Sequence, residues 1–71
     1  MYSLYIETTS GKSYEIGFFT EEERNSFLDY AKGVINNRIN TTAVVEVEAH
    51  GFVYIFNKAS IERIVYRSKE D

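Results

Sequence analysis

Thr20-Glu21-Glu22-Glu23-Arg24-Asn25-Ser26-Phe27-Leu28-Asp29-Tyr30-Ala31-Lys32-Gly33-Val34-Ile35 is the stretch on which the fold turns. Its first four residues form a capping box. The Thr20 hydroxyl can accept from the amide of Glu23, whose carboxylate reaches back, and three acids sit at the positive end of a helix dipole. Phe27, Leu28, Ala31, Val34 and Ile35 then recur at helical spacing, one apolar stripe on an otherwise polar surface. Gly33 weakens the helix by about 1 kcal/mol relative to alanine. Asn36 and Asn37 can take the left-handed conformation that ends it. One amphipathic helix therefore needs one apolar surface to lie on.

The flanking segments supply that surface as strands. Tyr2, Leu4 and Ile6 alternate with Ser3, Tyr5 and Glu7, and Tyr14, Ile16 and Phe18 repeat the pattern. Thr9-Ser10-Gly11 between them reads as a hairpin loop with Gly11 in a left-handed position. A three-residue loop pairs Ile6 with Tyr14, Leu4 with Ile16 and Tyr2 with Phe18, so the apolar sets share a face. After the helix, Thr41 to Ala49 and Phe52 to Asn57 are β-branched and aromatic runs joined by His50-Gly51. A two-residue turn there requires positive φ, which glycine allows and histidine tolerates. Val45, Val47, Ala49, Phe52, Tyr54 and Phe56 then face one way, and Val44, Glu46, Glu48, Val53 and Ile55 the other.

Ser60 to Arg67 fits two descriptions. Ile61, Ile64 and Val65 make a helical stripe with Ser60 as cap, whereas β-branched and aromatic content favours a strand after a turn at Lys58-Ala59. We read it as a strand. The expectation is an α+β domain of order ββαβββ, a small antiparallel sheet with the helix packed on one face.

The totals limit what such a domain can do. Seventy-one residues make a single domain, and 44% hydrophobic with 15% aromatic content is enough for a packed core. A core of this size rarely supplies more than about 3–5 kcal/mol without a staple. No cysteine is present, so neither a disulfide nor a thiolate metal site can serve, and association into a homodimer is the staple left. The absence of cysteine, of a basic leader followed by an apolar segment, and of any membrane-length apolar run leads us to expect a cytoplasmic protein without membrane attachment. A net charge of −3 makes nucleic acid an unfavoured partner.

Catalytic and metal-binding readings fail on composition. His50 is the sole histidine, and with Glu46 and Glu48 it forms the only metal-like cluster, which would still lack a fourth group. Glu21, Glu22 and Glu23 are explained by capping. The four glycines are isolated, so no phosphate-binding loop exists. We expect no enzyme activity and no cofactor.

The uncovered sheet face is the candidate site. It carries Tyr5, Phe19, Val44, Val53 and Ile55 interleaved with Glu7, Glu15, Glu46 and Glu48. A face turned only to water should be polar throughout, and clustered apolar residues on neighbouring strands mark an interface. Tyr5, Glu7, Glu15, Glu46, Glu48, Val53 and Ile55 are therefore the expected partner-binding residues. Either a second copy or a protein with a basic surface could meet them; glutamates at strand spacing, about 6–7 Å apart, offer a row of charge resembling a phosphate strand. The alternative is single-stranded nucleic-acid binding by Arg63, Tyr66 and Arg67, where basic and aromatic residues interleave.

The chain also resembles short proteins encoded by phages and mobile elements of Gram-positive bacteria. The likeness lies in the opening strand Tyr2–Glu7, the Thr20-Glu21-Glu22-Glu23 helix start, and the closing Ile55-Phe56-Asn57-Lys58-Ala59-Ser60-Ile61-Glu62-Arg63-Ile64. It contains no functional motif and carries over no site. What it implies is an inhibitor or regulator that binds a host protein, in some cases by imitating DNA.

Overall fold

Alternation with a period of two and a glycine at the turn set the register of the first hairpin. In the computed structural model, which describes residues 1–36 and 43–67, strand β1 (Tyr2–Thr8) pairs antiparallel with β2 (Ser13–Phe18). The register is the expected one: Ile6 faces Tyr14, Leu4 faces Ile16 and Tyr2 faces Phe18. Gly11 closes the loop at φ 89°. The Gly11 amide donates to the Thr8 carbonyl at 2.9 Å, and the Thr8 amide donates to the Lys12 carbonyl at 2.8 Å.

Helix α1 (Glu21–Ile35) starts on the capping box, with the Glu23 amide donating to the Thr20 hydroxyl oxygen at 3.1 Å and the Thr20 amide to Glu23 Oε1 at 3.1 Å. Phe27, Leu28, Ala31 and Val34 are buried as their spacing requires. Two details differ from expectation. Ile35, at the end of the stripe, is 38% exposed, whereas Val34 beside it in the same turn is fully buried. Asn36 ends the helix in right-handed rather than left-handed geometry (φ −92°, ψ 9°), its amide donating to the Lys32 carbonyl at 2.9 Å. Asn37, Thr41 and Thr42 lie outside the described residues.

Strands β3 (Val44–Ala49) and β4 (Phe52–Asn57) form the second hairpin across a two-residue turn with φ 55° at His50 and 82° at Gly51. A short 3-10 turn at Lys58–Ser60 leads into β5 (Ile61–Tyr66), so the closing segment is a strand. It pairs antiparallel with β1, with an irregularity at Glu7/Thr8. The order is ββαβββ and the class α+β, as expected.

The strands do not form one sheet. β2-β1-β5 is a three-stranded sheet and β3-β4 a separate two-stranded one. Geometry gives the reason. Five strands at a spacing of about 4.8 Å make a surface about 24 Å wide, while one helix covers about 10 Å. By separating, the second hairpin turns its own apolar face onto the first sheet and shares the covering with α1. Val45, Val47 and Phe56 thus join Leu4, Ile6, Ile16, Phe18 and the helix residues in a single core. The Tyr14 ring meets Phe56 edge-on at 5.4 Å, sealing the junction. Each fully buried aliphatic side chain here contributes about 1.5–3 kcal/mol through removal from water.

Candidate interaction surface

Dividing the sheet divides the expected surface. Tyr5, Glu7 and Glu15 stand on the outward face of the three-stranded sheet, where Tyr5 lies opposite Glu15 on one side and Val65 on the other. Glu46, Glu48, Val53 and Ile55 stand together on the outward face of the β3–β4 hairpin, Glu46 opposite Ile55 and Glu48 opposite Val53. The expectation of one patch containing all seven residues is therefore corrected to two patches. Phe19, counted with them, lies just beyond β2 and meets the His50 ring edge-on at 4.8 Å.

In the first patch Glu7 is paired, while Glu15 has no ion pair among the described residues. Glu7 is hydrogen-bonded and ion-paired to Arg63 across the β1–β5 ladder. That bond, followed by the charges of Glu7 and Glu62, holds the Arg63 guanidinium above its ordinary pKa, so it remains charged at any working pH. This cation and anion side by side largely cancel each other, leaving the outward charge of Glu15.

Among the described residues the second patch has no such compensation. Val53 is 58% exposed and Ile55 64%. Glu46 and Glu48 flank them with no ion pair to any described cation. Beside this face, α1 and β3 enclose a groove in which Glu22, Glu23, Glu46 and Glu48 surround Phe27 and Val47. The helix-start acids thus do more than cap. The fold brings two of them next to the two strand glutamates, a proximity that sequence spacing cannot reveal.

Backbone geometry at β4 is set by one side chain on the helix. The Glu46 amide donates to the Tyr30 hydroxyl at 3.2 Å, so it points away from β4. Glu46 and Ile55 are then a non-hydrogen-bonded pair, and antiparallel alternation makes Val45–Phe56 and Val47–Tyr54 the hydrogen-bonded ones. The Lys58 amide donating to the Ala43 carbonyl at 2.9 Å continues the same alternation. It follows that the amides and carbonyls of Val53, Ile55 and Asn57 point out of the free edge of β4. That edge opens onto a groove of about 430 Å³ whose opposite wall includes Thr8, Ser10, Tyr14 and Ser60.

The interleaved basic and aromatic residues of β5 are split by the strand's own pleat. Arg63 and Val65 lie outward with Tyr5 and Glu7, whereas Tyr66 lies on the helix side opposite Leu4. There the ring sits beneath Arg24, whose guanidinium carbon is 4.9 Å from the Tyr66 centroid and 5.8 Å from that of Tyr2. Arg24 is 3% exposed, donates to the Arg67 carbonyl at 3.1 Å and approaches Glu21 at 3.5 Å. Sequence reading passed over this residue, since an arginine in the first turns of a helix looks like a surface charge.

Among the described residues no group of acidic or histidine side chains is arranged to hold a metal ion, and no helix is long and apolar enough to cross a membrane. Comparison with protein-family models, curated proteins and solved structures found no match to this chain.

Proposed function

We propose that this chain is a small acidic protein-interaction module, acting as a regulator or inhibitor of a host protein with a basic surface, in the manner of phage-encoded proteins. The observation that carries the reading is the outward face of the β3–β4 hairpin, where exposed Val53 and Ile55 lie directly opposite Glu48 and Glu46. An apolar strip excludes water and gives affinity, and uncompensated carboxylates beside it select for positive charge and speed the encounter. The groove carrying Glu22 and Glu23 widens the negative field on that side. A nucleic-acid-binding protein fits this description, because its phosphate-binding surface is built to receive a row of negative oxygens. No activity on a substrate is part of the proposal.

The test is affinity capture from a bacterial lysate with the wild type beside a Glu46→Lys/Glu48→Lys variant. We expect the wild type to retain basic proteins that the variant loses, with retention falling as salt rises. If both retain the same proteins in the same amounts, the hairpin face is not the contact.

A further inference from the structure

β4 reads Phe52-Val53-Tyr54-Ile55-Phe56-Asn57. Its first five residues are a palindrome in character about Tyr54: aromatic, β-branched, aromatic, β-branched, aromatic. Among the described strands it is also the one with no charged residue. β1 contains Glu7, β2 Glu15, β3 Glu46 and Glu48, and β5 Glu62 and Arg63. Charged side chains on an edge strand are a common defence against unwanted pairing. β3 is protected in a second way, since Tyr30 occupies one of its outward amides. β2 and β5, the two outer strands of the larger sheet, carry Glu15 and Glu62 with Arg63 respectively. Among the described strands only the edge of β4 offers outward backbone groups, at Val53, Ile55 and Asn57, with no charged side chain on the strand and no described hydrogen-bond partner. It opens onto the groove lined by Thr8, Ser10, Tyr14 and Ser60.

We infer that a second copy of the chain pairs with this edge, β4 against β4 in antiparallel register about a twofold axis through Tyr54. In that register Val53 of one copy faces Ile55 of the other, and their outward amides and carbonyls exchange both hydrogen bonds of each pair. Phe52 meets Phe56, and Tyr54 meets its own equivalent as the non-hydrogen-bonded pair. Sliding the register by two residues sets Val53 against Asn57 in one direction and Ile55 against Gly51 in the other, losing part of the apolar match. Charge selects the occupant. Two chains of net charge −3 repel wherever their glutamates meet, and β4 is the strand on which they do not. A basic partner is drawn to the glutamates beside it, not to a neutral edge.

Pairing joins the two hairpins into a four-stranded β3-β4-β4-β3 sheet whose outward faces lie on the same side. The glutamates of the two β3 strands then stand about 14 Å apart, three strand spacings, with the doubled Val53/Ile55 strip between them. The inference thus extends the proposed binding face, but needs only the free edge for its own truth. The contact is small, a handful of residues from each copy, which places it among weak interfaces that form as concentration rises.

Sedimentation equilibrium of the full chain from micromolar to millimolar concentration tests it. We expect reversible dimerisation that strengthens with salt, because screening relieves repulsion between like-charged copies; capture of a basic partner responds in the opposite direction. Ile55→Pro removes an outward amide while leaving the β3–β4 ladder intact, and should weaken dimerisation about tenfold or more. A second variant guards against misfolding of the first. Tyr54→Cys puts the chain's sole thiol at a non-hydrogen-bonded site, where paired Cα atoms stand about 4.5 Å apart, within disulfide range, so it should oxidise to a crosslinked dimer. Tyr5→Cys, on the other sheet, should not. A wild type that stays monomeric at millimolar concentration overturns the pairing, as does crosslinking through Tyr5→Cys but not Tyr54→Cys. A monomer that still captures basic proteins through Glu46 and Glu48 would overturn the pairing alone and leave the proposed function standing.

Discussion

The two hairpins begin from similar material and end in different states. β1–β2 gains a third strand, β5, and places Leu4 and Ile6 on the central strand with no exposed surface. Two of its outward charges, Glu7 and Arg63, pair with each other, and Arg24 fastens its helix-side corner. β3–β4 gains no third strand. It is tied to the helix at one edge by Tyr30 and left open at the other. Two-stranded sheets are marginal alone and persist by packing, which here means Val45, Val47 and Phe56 in the shared core. The difference teaches where each half of the molecule spends its side chains. The three-stranded sheet uses them to hold the fold, and the hairpin keeps apolar side chains on its outward face with no described residue covering them.

The largest expected effect compares one aliphatic residue from each. Leu4→Ala empties a fully buried site on the central strand and should cost about 3 kcal/mol, most of the stability available to a core of this size. Ile55→Ala, on the exposed face of β4, should change unfolding by no more than about 0.5 kcal/mol in dilute solution. Urea denaturation of both variants at micromolar concentration measures the contrast. Equal losses would mean that Ile55 is part of the structural core and that the hairpin is not a free surface.

Arg24→Ala comes next. It removes a nearly buried guanidinium from above the Tyr66 and Tyr2 rings and leaves the Arg67 carbonyl without its donor. We expect a loss of about 2 kcal/mol, from stacking, a charge-assisted hydrogen bond and packing of the aliphatic stem. The same denaturation series reads it. The loss should be global, because Arg24 links the helix start to both β1 and β5. An unchanged midpoint would show that the guanidinium contributes no more than an exposed charge does.

Much of this frame was legible in the residues. Registers follow from side-chain parity and loop length, which are local, so the pairing of Leu4 with Ile16 and the His50-Gly51 turn could be read directly. The capping box at Thr20 and Glu23 is likewise a relation between neighbours. The separation of the sheets was not legible, because nothing in β2 or β3 records whether their backbones will bond to each other. Tyr30 could not be assigned to the edge of β3 for the same reason, and Arg24 could not be told from a solvated arginine. The candidate site inherited that uncertainty. Its seven residues were each placed on the correct outward side of their strands, yet they were joined into one face because one sheet was assumed. The symmetry of Phe52 to Phe56 was present throughout but gained meaning only once the edge of β4 was seen to be free.

The smallest effects come from the two turns, and they sharpen the comparison most. Gly11 and Gly51 both have positive φ, 89° and 82°, and a Cβ added at either would meet nothing within 4 Å. Replacement by alanine therefore carries backbone strain without a clash, about 1 kcal/mol in each case. The strain is equal, but its consequences should not be. The Gly11 loop joins two strands of the three-stranded sheet and is also held by the Thr9 amide on the Ser60 carbonyl at 2.9 Å, so its strands should open only with the whole domain. Gly11→Ala should therefore lower amide protection uniformly across the core. The Gly51 turn closes a hairpin with one tied edge, so Gly51→Ala should favour local opening, lowering protection at Tyr54 and Phe56 while Leu4 and Ile6 keep theirs. Native-state hydrogen exchange resolves the two patterns residue by residue. If Gly51→Ala lowers protection at Leu4 and Ile6 as much as at Tyr54 and Phe56, the hairpin opens only with the rest of the molecule, and the two regions are one cooperative unit.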